Sequence, residues 1–385
     1  MNLSLTEEQQ MIQETAKRFA ETELQATAEK LDQTKDYEIT KAHVRNLAEL
    51  GFMGLNIDAE YGGTEAGVVA FSLAVTEIAK ACASTAVTMS VTNMVAEVIQ
   101  AMGSDEQKQK YLPKICSGEF YAGSFCLTEA GAGSDPASMR TRAVKTESGW
   151  SISGTKQWIT SAEFAGVFVV WAVTDAEAPK GKGISCFLVD ADAAGITCGP
   201  GEKKMGQHGS ATNEVHFENC EVPDSAVLGK LNDGFRIAVA ELAGGRIGIG
   251  SLALGIGQAA MDYATQYTLE RKQFGKPIAD FQGLQWMIAD RATELEAARL
   301  LLMNAAYLKE AGKPFAKEAS MAKLFASEKA NQACYTALQL LGGYGYMQEY
   351  PLERMSRDVR ITSIYEGTSE VQRLVIAREI LRELR

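Results

Sequence analysis

Paired cysteines, clustered histidines, a basic excess and long hydrophobic runs are all missing from this sequence of 385 residues. The seven cysteines (Cys82, Cys116, Cys126, Cys186, Cys198, Cys220 and Cys334) are odd in number and scattered, with no CxxC pair. A disulfide framework and a zinc site are therefore not expected, and a reducing compartment is. His43, His208 and His216 stand alone, as surface or core histidines do. Lysine and arginine total 38 against 49 acidic residues, a net charge of −11. A sequence-blind nucleic-acid binder is expected to be basic, so that class is set aside, although a local basic patch could still serve an anionic small molecule. No stretch reaches the ~18 consecutive apolar residues of a membrane span. The opening residues, Met1 to Glu8, lack the basic start and apolar core of a secretory signal and are too acidic for a transit peptide. The expectation is a cytoplasmic protein; a mature mitochondrial matrix form with its leader removed would read the same.

The remaining composition is that of a globular chain, 46% hydrophobic and 23% charged. Its length exceeds the ~250–300 residues at which single cores stop growing, so two or three packed units are expected. Periodicity divides it into three. Residues 1–120 read as helices: Thr6 and Gln9 have capping-box spacing, and Met11, Ile12, Ala16, Phe19 and Ala20 recur at helical intervals. Thr40 is expected to open a further helix that Gly51 closes, and a small-residue, apolar stretch runs from Val68 to Met102. Residues 121–231 alternate and are broken by turns, with strands expected at 150–153, 167–173, 184–189 and 214–217. They suggest a small β-barrel or sandwich. Residues 232–385 return to helices, with an apolar stripe at Leu295, Ala298, Leu302 and Ala305 and a small-residue stripe at Ala319, Ala322, Ala326 and Ala330. The fold class is α+β in three units.

Six stretches could carry chemistry. Phe125 to Asp135 (FCLTEAGAGSD) leaves a strand and enters a glycine-rich turn whose N–H groups can face an anion. An ordinary tight turn has the same residues, and the spacing is not the dinucleotide GxGxxG. Lys156 to Thr160 (KQWIT) offers a flat indole followed by a hydroxyl, which suits a planar cofactor as well as a buried strand. Ala243-Gly244-Gly245-Arg246 puts two glycines inside a helix at a cost of roughly 1 kcal/mol each, so something packs closely there or a ligand nears the backbone. Arg271 to Gly275 (RKQFG) could grip a pyrophosphate or be a charged helix end. Gln339 to Tyr346 (QLLGGYGY) has more glycine than a C-cap needs. Ile364 to Glu370 (IYEGTSE) sets a carboxylate in apolar surroundings, where desolvation would raise its pKa into the range of a usable base. Thr368 or Ser369 caps the next helix on either reading.

Together, in this order and over nearly the whole chain, these stretches resemble the acyl-CoA dehydrogenase family of flavoproteins, and its short-chain, butyryl-CoA branch in particular. The resemblance implies an N-terminal helical domain, a middle β-barrel domain and a C-terminal four-helix bundle. It implies a homotetramer, a dimer of dimers, with non-covalent FAD. Phe125, Leu127, Thr128, Gly133 and Ser134 would lie along the flavin, with Ser134 also able to meet the CoA portion. Trp158, Ile159 and Thr160 would cover the ring. Arg271, Gln282, Gln339 and Gly343 would reach the FAD of a neighbouring subunit, and Thr368 and Glu370 the FAD of their own chain. Glu366 matches the catalytic base, and Arg246, Gly367 and Arg378 match positions near the substrate. The activity implied is α,β-dehydrogenation of a short-chain acyl-CoA to the trans-2-enoyl-CoA, with electrons passed to electron-transfer flavoprotein.

Departures from the family pattern are Ala130 for the usual proline and Ser161 for the commoner asparagine. Gly245 stands where some branches carry the base, which leaves Glu366 for that role; Glu241, upstream, reads as structural. Competing readings are a branched, cyclic or dicarboxylic substrate, an oxygen-reducing oxidase, an enoyl-CoA reductase and a non-catalytic assembly protein. Glu366 argues against the last.

Overall fold

The computed structural model describes residues 4–384; Met1, Asn2, Leu3 and Arg385 lie outside the described residues. The chain runs from helices to a sheet and back to helices. Helix α1 (Glu7–Phe19) starts with the expected capping box: Thr6 accepts from Gln9 N–H, and Gln9 returns the bond. A π-helical turn (Ala20–Leu24) leads into α2 (Gln25–Thr34). Helix α3 (Tyr37–Glu49) begins earlier than the sequence suggests. Asp36 caps it by accepting from Glu38 N–H. Thr40 is an interior helical residue, fully buried, whose hydroxyl donates to Gly209 O at 2.7 Å. Gly51 ends the helix region as expected, in a left-handed conformation. The apolar stretch from Val68 to Met102 is two helices, α4 (Gly67–Ala81) and α5 (Ala83–Met102), broken by extended Cys82. Helix α6 (Asp105–Cys116) leads to the sheet.

The sheet strands are β1 (Ala122–Cys126), β2 (Arg142–Lys145), β3 (Trp150–Thr160), β4 (Ala165–Val173), β5 (Ile184–Asp190), β6 (Ile196–Cys198), β7 (Thr212–Val222) and β8 (Val227–Leu228). Their order is β6-β7-β3-β2-β4-β5-β8, with β1 parallel to β4. The two halves of this path are joined in the sheet at Arg142 and Val173. They fold over one shared core, in which Phe168 and Phe187 of one half face Ile152 and Phe217 of the other. The opposite face is buried too. Val167, Val169 and Trp171 alternate with the inner residues and pack on Val95 and Ile99 of α5 and Leu112 of α6. This two-sided burial explains why β4 reads as an unbroken apolar run.

The chain then enters α7 (Gly234–Glu270), a two-stranded hairpin of β9 (Lys272–Gln273) and β10 (Lys276–Pro277), α8 (Gln282–Glu310), α9 (Ala316–Leu341), α10 (Pro351–Arg360) and α11 (Ser369–Glu383). By length and composition α7 could cross a membrane, but 78% of its apolar window is buried against protein. The alanine stripe of α9 is fully buried, and so lets α7 and α9 approach closely. Leu24, Leu47 and Ile78 from the first zone share one core with Ile249, Leu252, Leu302 and Ala326 from the last. The helices at both chain ends therefore form one packed body around which the sheet is held.

Candidate active site

Glu366 lies on the turn between α10 and α11, and its backbone is left-handed at φ 51°, followed by Gly367 at φ 89°. An αL glutamate is a strained choice that persists only where its surroundings impose it. Two side chains impose it. Lys323 of α9 is 1% exposed and donates its Nζ to Gly367 O at 2.7 Å. Gln372 of α11 donates to the carbonyls of Glu366 at 3.2 Å and Gly367 at 2.8 Å. Thr368 caps α11 by accepting from Val371 N–H at 3.3 Å. Capping and a buried acid thus coexist at this turn.

The Glu366 Oε2 is enclosed and has no hydrogen-bond partner. It faces α7 at Gly245, where a methyl group would collide with it and lie 2.7 Å from Met94 Sδ. The glycine that the sequence marks as a close-approach site is the floor on which the carboxyl rests. Burial raises the Glu366 pKa to about 7, against the opposing pull of Lys323 and Arg246. Arg246 is buried at 6% exposure, donates Nη1 to Ser320 Oγ at 3.1 Å and keeps its Nε unpartnered. Burial in turn lowers Lys323 to about 8, opposed by Glu366. The Arg246 pKa is also lowered, first by burial and in part by the charge of Arg378, which sits exposed on α11. A carboxyl poised near neutrality between two cations can take and hold a proton.

A second group of the expected residues assembles on the sheet. Gln157 N–H donates to Thr128 O at 2.9 Å, and Ser124 Oγ to Thr160 O at 2.7 Å, so the segments 124–128 and 157–160 share one face. The register of β3 against β7 slips between Lys156 and Ile159. Trp158 sits in this bulge with φ 56° and keeps 56% of its surface exposed. The bulge turns a large aromatic outward from a strand whose next residue, Ile159, is buried. Phe125 packs on Trp171 at 4.2 Å between ring centroids, and Leu127 is buried. Gly131 and Gly133 are exposed, with nothing within 4 Å of where a Cβ would stand, and Ser134 beside them is exposed as well. Ala130 lies in a turn closed by Glu129 and Ala132. The turn is anchored from beneath: Glu129 accepts from Lys156 Nζ at 2.9 Å and from the N–H groups of Arg140 at 2.6 Å and Thr141 at 2.9 Å. An exposed indole beside an open glycine turn fits a flat, anionic cofactor such as FAD.

The remaining expected residues lie exposed at the surface. Arg271 stands over the Tyr344 ring at 5.6 Å, while Gln282, Gln339 and Gly343 are all exposed. A Cβ at Gly342 or Gly343 would meet nothing within 4 Å. Glu370 is exposed in the first turn of α11. The sequence reasoning missed Lys323, Met94, Gln372 and the Glu129–Lys156 pair. Lys323 left one signal, a lysine set within the buried alanine stripe of α9.

Three segments of the chain match domains of one family: residues 6–119 the acyl-CoA dehydrogenase N-terminal domain, 124–220 the middle domain and 232–381 the C-terminal domain. The fold and site thus define a flavoprotein oxidoreductase, and the chain belongs to the acyl-CoA dehydrogenase family. It is 45% identical over 385 residues to the NADH acryloyl-CoA reductase of Anaerotignum propionicum, covering 99% of this chain and 96% of that one. The structure of butyryl-CoA dehydrogenase from Megasphaera elsdenii is similar at a TM-score of 0.95 and 39% identity, covering 99% of this chain and 100% of that one. A chain solved with work on the electron-transferring flavoprotein of Acidaminococcus fermentans is similar at a TM-score of 0.97 and 43% identity, with 99% and 100% covered.

Proposed function

We propose that this protein converts a short-chain acyl-CoA to its trans-2-enoyl-CoA, with Glu366 as the base. The observation that carries the reading is an enclosed, unpartnered Glu366 carboxyl oxygen held near neutral pKa between Lys323 and Arg246. The α-proton of a thioester is weakly acidic, so a base alone is insufficient. The Glu366 N–H donates to the thioester carbonyl and stabilises the charge that develops there, as an oxyanion hole does. The carboxylate then removes the α-proton. Lys323 and Arg246 keep it ionised beforehand, and burial favours its protonated form afterwards. Gly367 leaves room for the thioester beside the turn. Exclusion of water protects the reduced state of the site.

When bound, FAD would supply the acceptor for the β-hydrogen as hydride, with the electrons going on to electron-transfer flavoprotein. Phe125, Leu127, Thr128, Gly133, Ser134, Trp158, Ile159, Thr160, Thr368 and Glu370 would hold it. Ser134 also meets the CoA portion, and Arg246, Gly367 and Arg378 flank the substrate. Arg271, Gln282, Gln339 and Gly343 serve a neighbouring subunit's FAD in a homotetramer of two dimers. Their exposure, and the open space at Gly343, support that assignment. Residues 1–120, 121–231 and 232–385 act as the three domains. The free cysteines suit a reducing compartment such as the cytoplasm.

Similarity to an acryloyl-CoA reductase favours a second reading, the same groups working towards enoyl-CoA reduction. Anaerobic titration of the FAD-loaded protein with butyryl-CoA tests both. Bleaching of the oxidised flavin band supports dehydrogenation, and re-oxidation of the reduced protein by crotonyl-CoA supports the reverse. Glu366→Gln should keep FAD and lose both reactions; a fully active variant would refute the base assignment.

A further inference from the structure

The base turn and the exposed indole come from different parts of the chain. Glu366 stands between α10 and α11, and Trp158 stands on β3 of the sheet. Among the described residues, one hydrogen bond joins the sheet and its loops to residues 364–367: Gln207 Nε2 donates to Tyr365 Oη at 3.3 Å. Tyr365 is the residue immediately before Glu366. Gln207 makes two further bonds to the C-terminal end of α10. Its Nε2 also donates to Asp358 O at 3.1 Å, and its backbone N–H donates to Asp358 Oδ1. Gly206 presses the same loop onto α10, since a methyl there would lie 2.5 Å from the Arg357 carbonyl and 2.7 Å from Asp358 N. On its other side the loop runs into β7. Ala211 O accepts from Ser161 N–H at 2.7 Å, and Thr212 pairs with Thr160. Lys204 Nζ braces this end by donating to Thr212 Oγ1 at 2.9 Å. A continuous path therefore runs from the Trp158 bulge through Thr160, Ser161 and residues 207–212 to Tyr365 and Glu366.

The backbone of Gln207 is left-handed, at φ 51°, and the residue is 4% exposed. Glycine takes such a conformation without strain, whereas a glutamine there persists only where its surroundings impose it. What holds Gln207 is its own amide and N–H, and both point out of the loop towards Tyr365 and Asp358. We propose that Gln207 is a positioning residue for the base: through Tyr365 it ties the Glu366 turn to the sheet edge that presents Trp158, and so fixes the carboxyl relative to that face. This rests on the dehydrogenase reading above. Taking hydrogens from adjacent carbons needs the acceptor of each at a set place, and here the two places belong to different surfaces. Lys323 and Gln372 set the conformation of the turn from α9 and α11. Gln207 sets where that turn stands against the sheet. Burial raises the Tyr365 pKa, opposed by the Gln207 bond, so the phenol stays neutral and accepts from the amide. Misplacing a reacting group by about 1 Å can cost roughly 100-fold in rate, so even partial release of this tie is visible in kinetics.

The test compares FAD-loaded wild type, Gln207→Gly, Tyr365→Phe and the double variant. Q207G suits the left-handed backbone and keeps the N–H but loses the amide; Y365F keeps the ring and loses the acceptor. The readouts are anaerobic flavin reduction by butyryl-CoA, thermal unfolding, and hydrogen exchange followed by mass spectrometry. Each single variant should reduce roughly tenfold more slowly at saturating thioester, with half-saturation within about twofold of wild type. The double variant should be no slower than the slower single, because both lose one shared bond. Exchange should rise in residues 361–368 and 205–212 and stay unchanged in α6. Reduction at the wild-type rate in both singles overturns the proposal. So do losses that multiply in the double variant, or exchange that rises along the whole chain with a falling melting temperature. Should Q207G not fold, unchanged reduction and exchange in Y365F overturn it alone. If no thioester reduces the wild-type flavin, the dehydrogenase reading itself has failed, and exchange in 361–368 still decides whether the tie exists.

Discussion

Replacing Gly245 with alanine should leave the protein folded and disable its base. In a helix interior the change favours the folded state by about 0.8–1.0 kcal/mol through propensity. Against this, a methyl at Gly245 would lie 2.7 Å from Met94 Sδ and overlap Glu366 Oε2. Overpacking of this kind costs about 1–3 kcal/mol. The net loss is then about 0–2 kcal/mol. The two neighbours do not yield equally. Met94 is an unbranched thioether that can change rotamer cheaply. Glu366 is fixed on a left-handed turn by Lys323 and Gln372, so its carboxyl has to swing away from α7. Displacing a reacting group by about 1 Å can cost roughly 100-fold in rate. The assays are thermal unfolding of FAD-loaded G245A and stopped-flow flavin reduction by butyryl-CoA without oxygen. A small loss of stability with a roughly 100-fold slower reduction is expected. Reduction within threefold of wild type would show that the carboxyl does not work from its place against α7.

Lys323→Met removes one of the two cations that hold Glu366 down. An opposite charge nearby is worth about 1–3 pKa units, so the base should rise from about 7. Because the base acts ionised, activity climbs with pH, and the variant's climb should begin later. A one-unit rise cuts the ionised fraction at pH 7 roughly fivefold and is nearly recovered by pH 9. Arg246, Glu241 and Tyr365 still face the carboxyl and are unchanged. An equal loss at every pH would instead assign Lys323 to packing alone. Glu129→Ala should strand Lys156, which is fully buried, and release the glycine turn from Arg140 and Thr141. Breaking such a pair costs about 3–5 kcal/mol, so the melting temperature and FAD retention should fall together; unchanged FAD binding would separate the turn's anchor from cofactor binding.

The helix–sheet–helix order was readable because each zone keeps one period over many residues. Where local chemistry competed, the reading slipped. Thr40 has the right side chain for a cap, yet Asp36 takes that position and Thr40 turns inward to Gly209. Nothing within residues 36–51 reveals that a carbonyl some 169 positions away awaits a donor. The short strands β2, β6 and β8 were equally hidden. They have two to four residues each and are defined by their neighbours rather than by their own pattern.

The site divides along the same line. Glu366, Gly245 and Trp158 were legible because each carries an oddity in its own segment: an acid before glycine, two glycines in a helix, an indole before a hydroxyl. Their consequences were not, because these depend on what faces them. Glu366 is near neutrality only because burial outweighs two cations, and one of those, Lys323, comes from a helix 43 residues upstream in the sequence. Glu241 shows the limit most clearly. In sequence it is one more acid on a helix. In space the charges of Glu97, Lys309 and Glu366, drawn from three other segments, act on it, and one of its oxygens is left without a partner. A motif scan finds residues that are unusual for their own segment. An ordinary residue made unusual by its neighbours becomes visible only when the helices are packed.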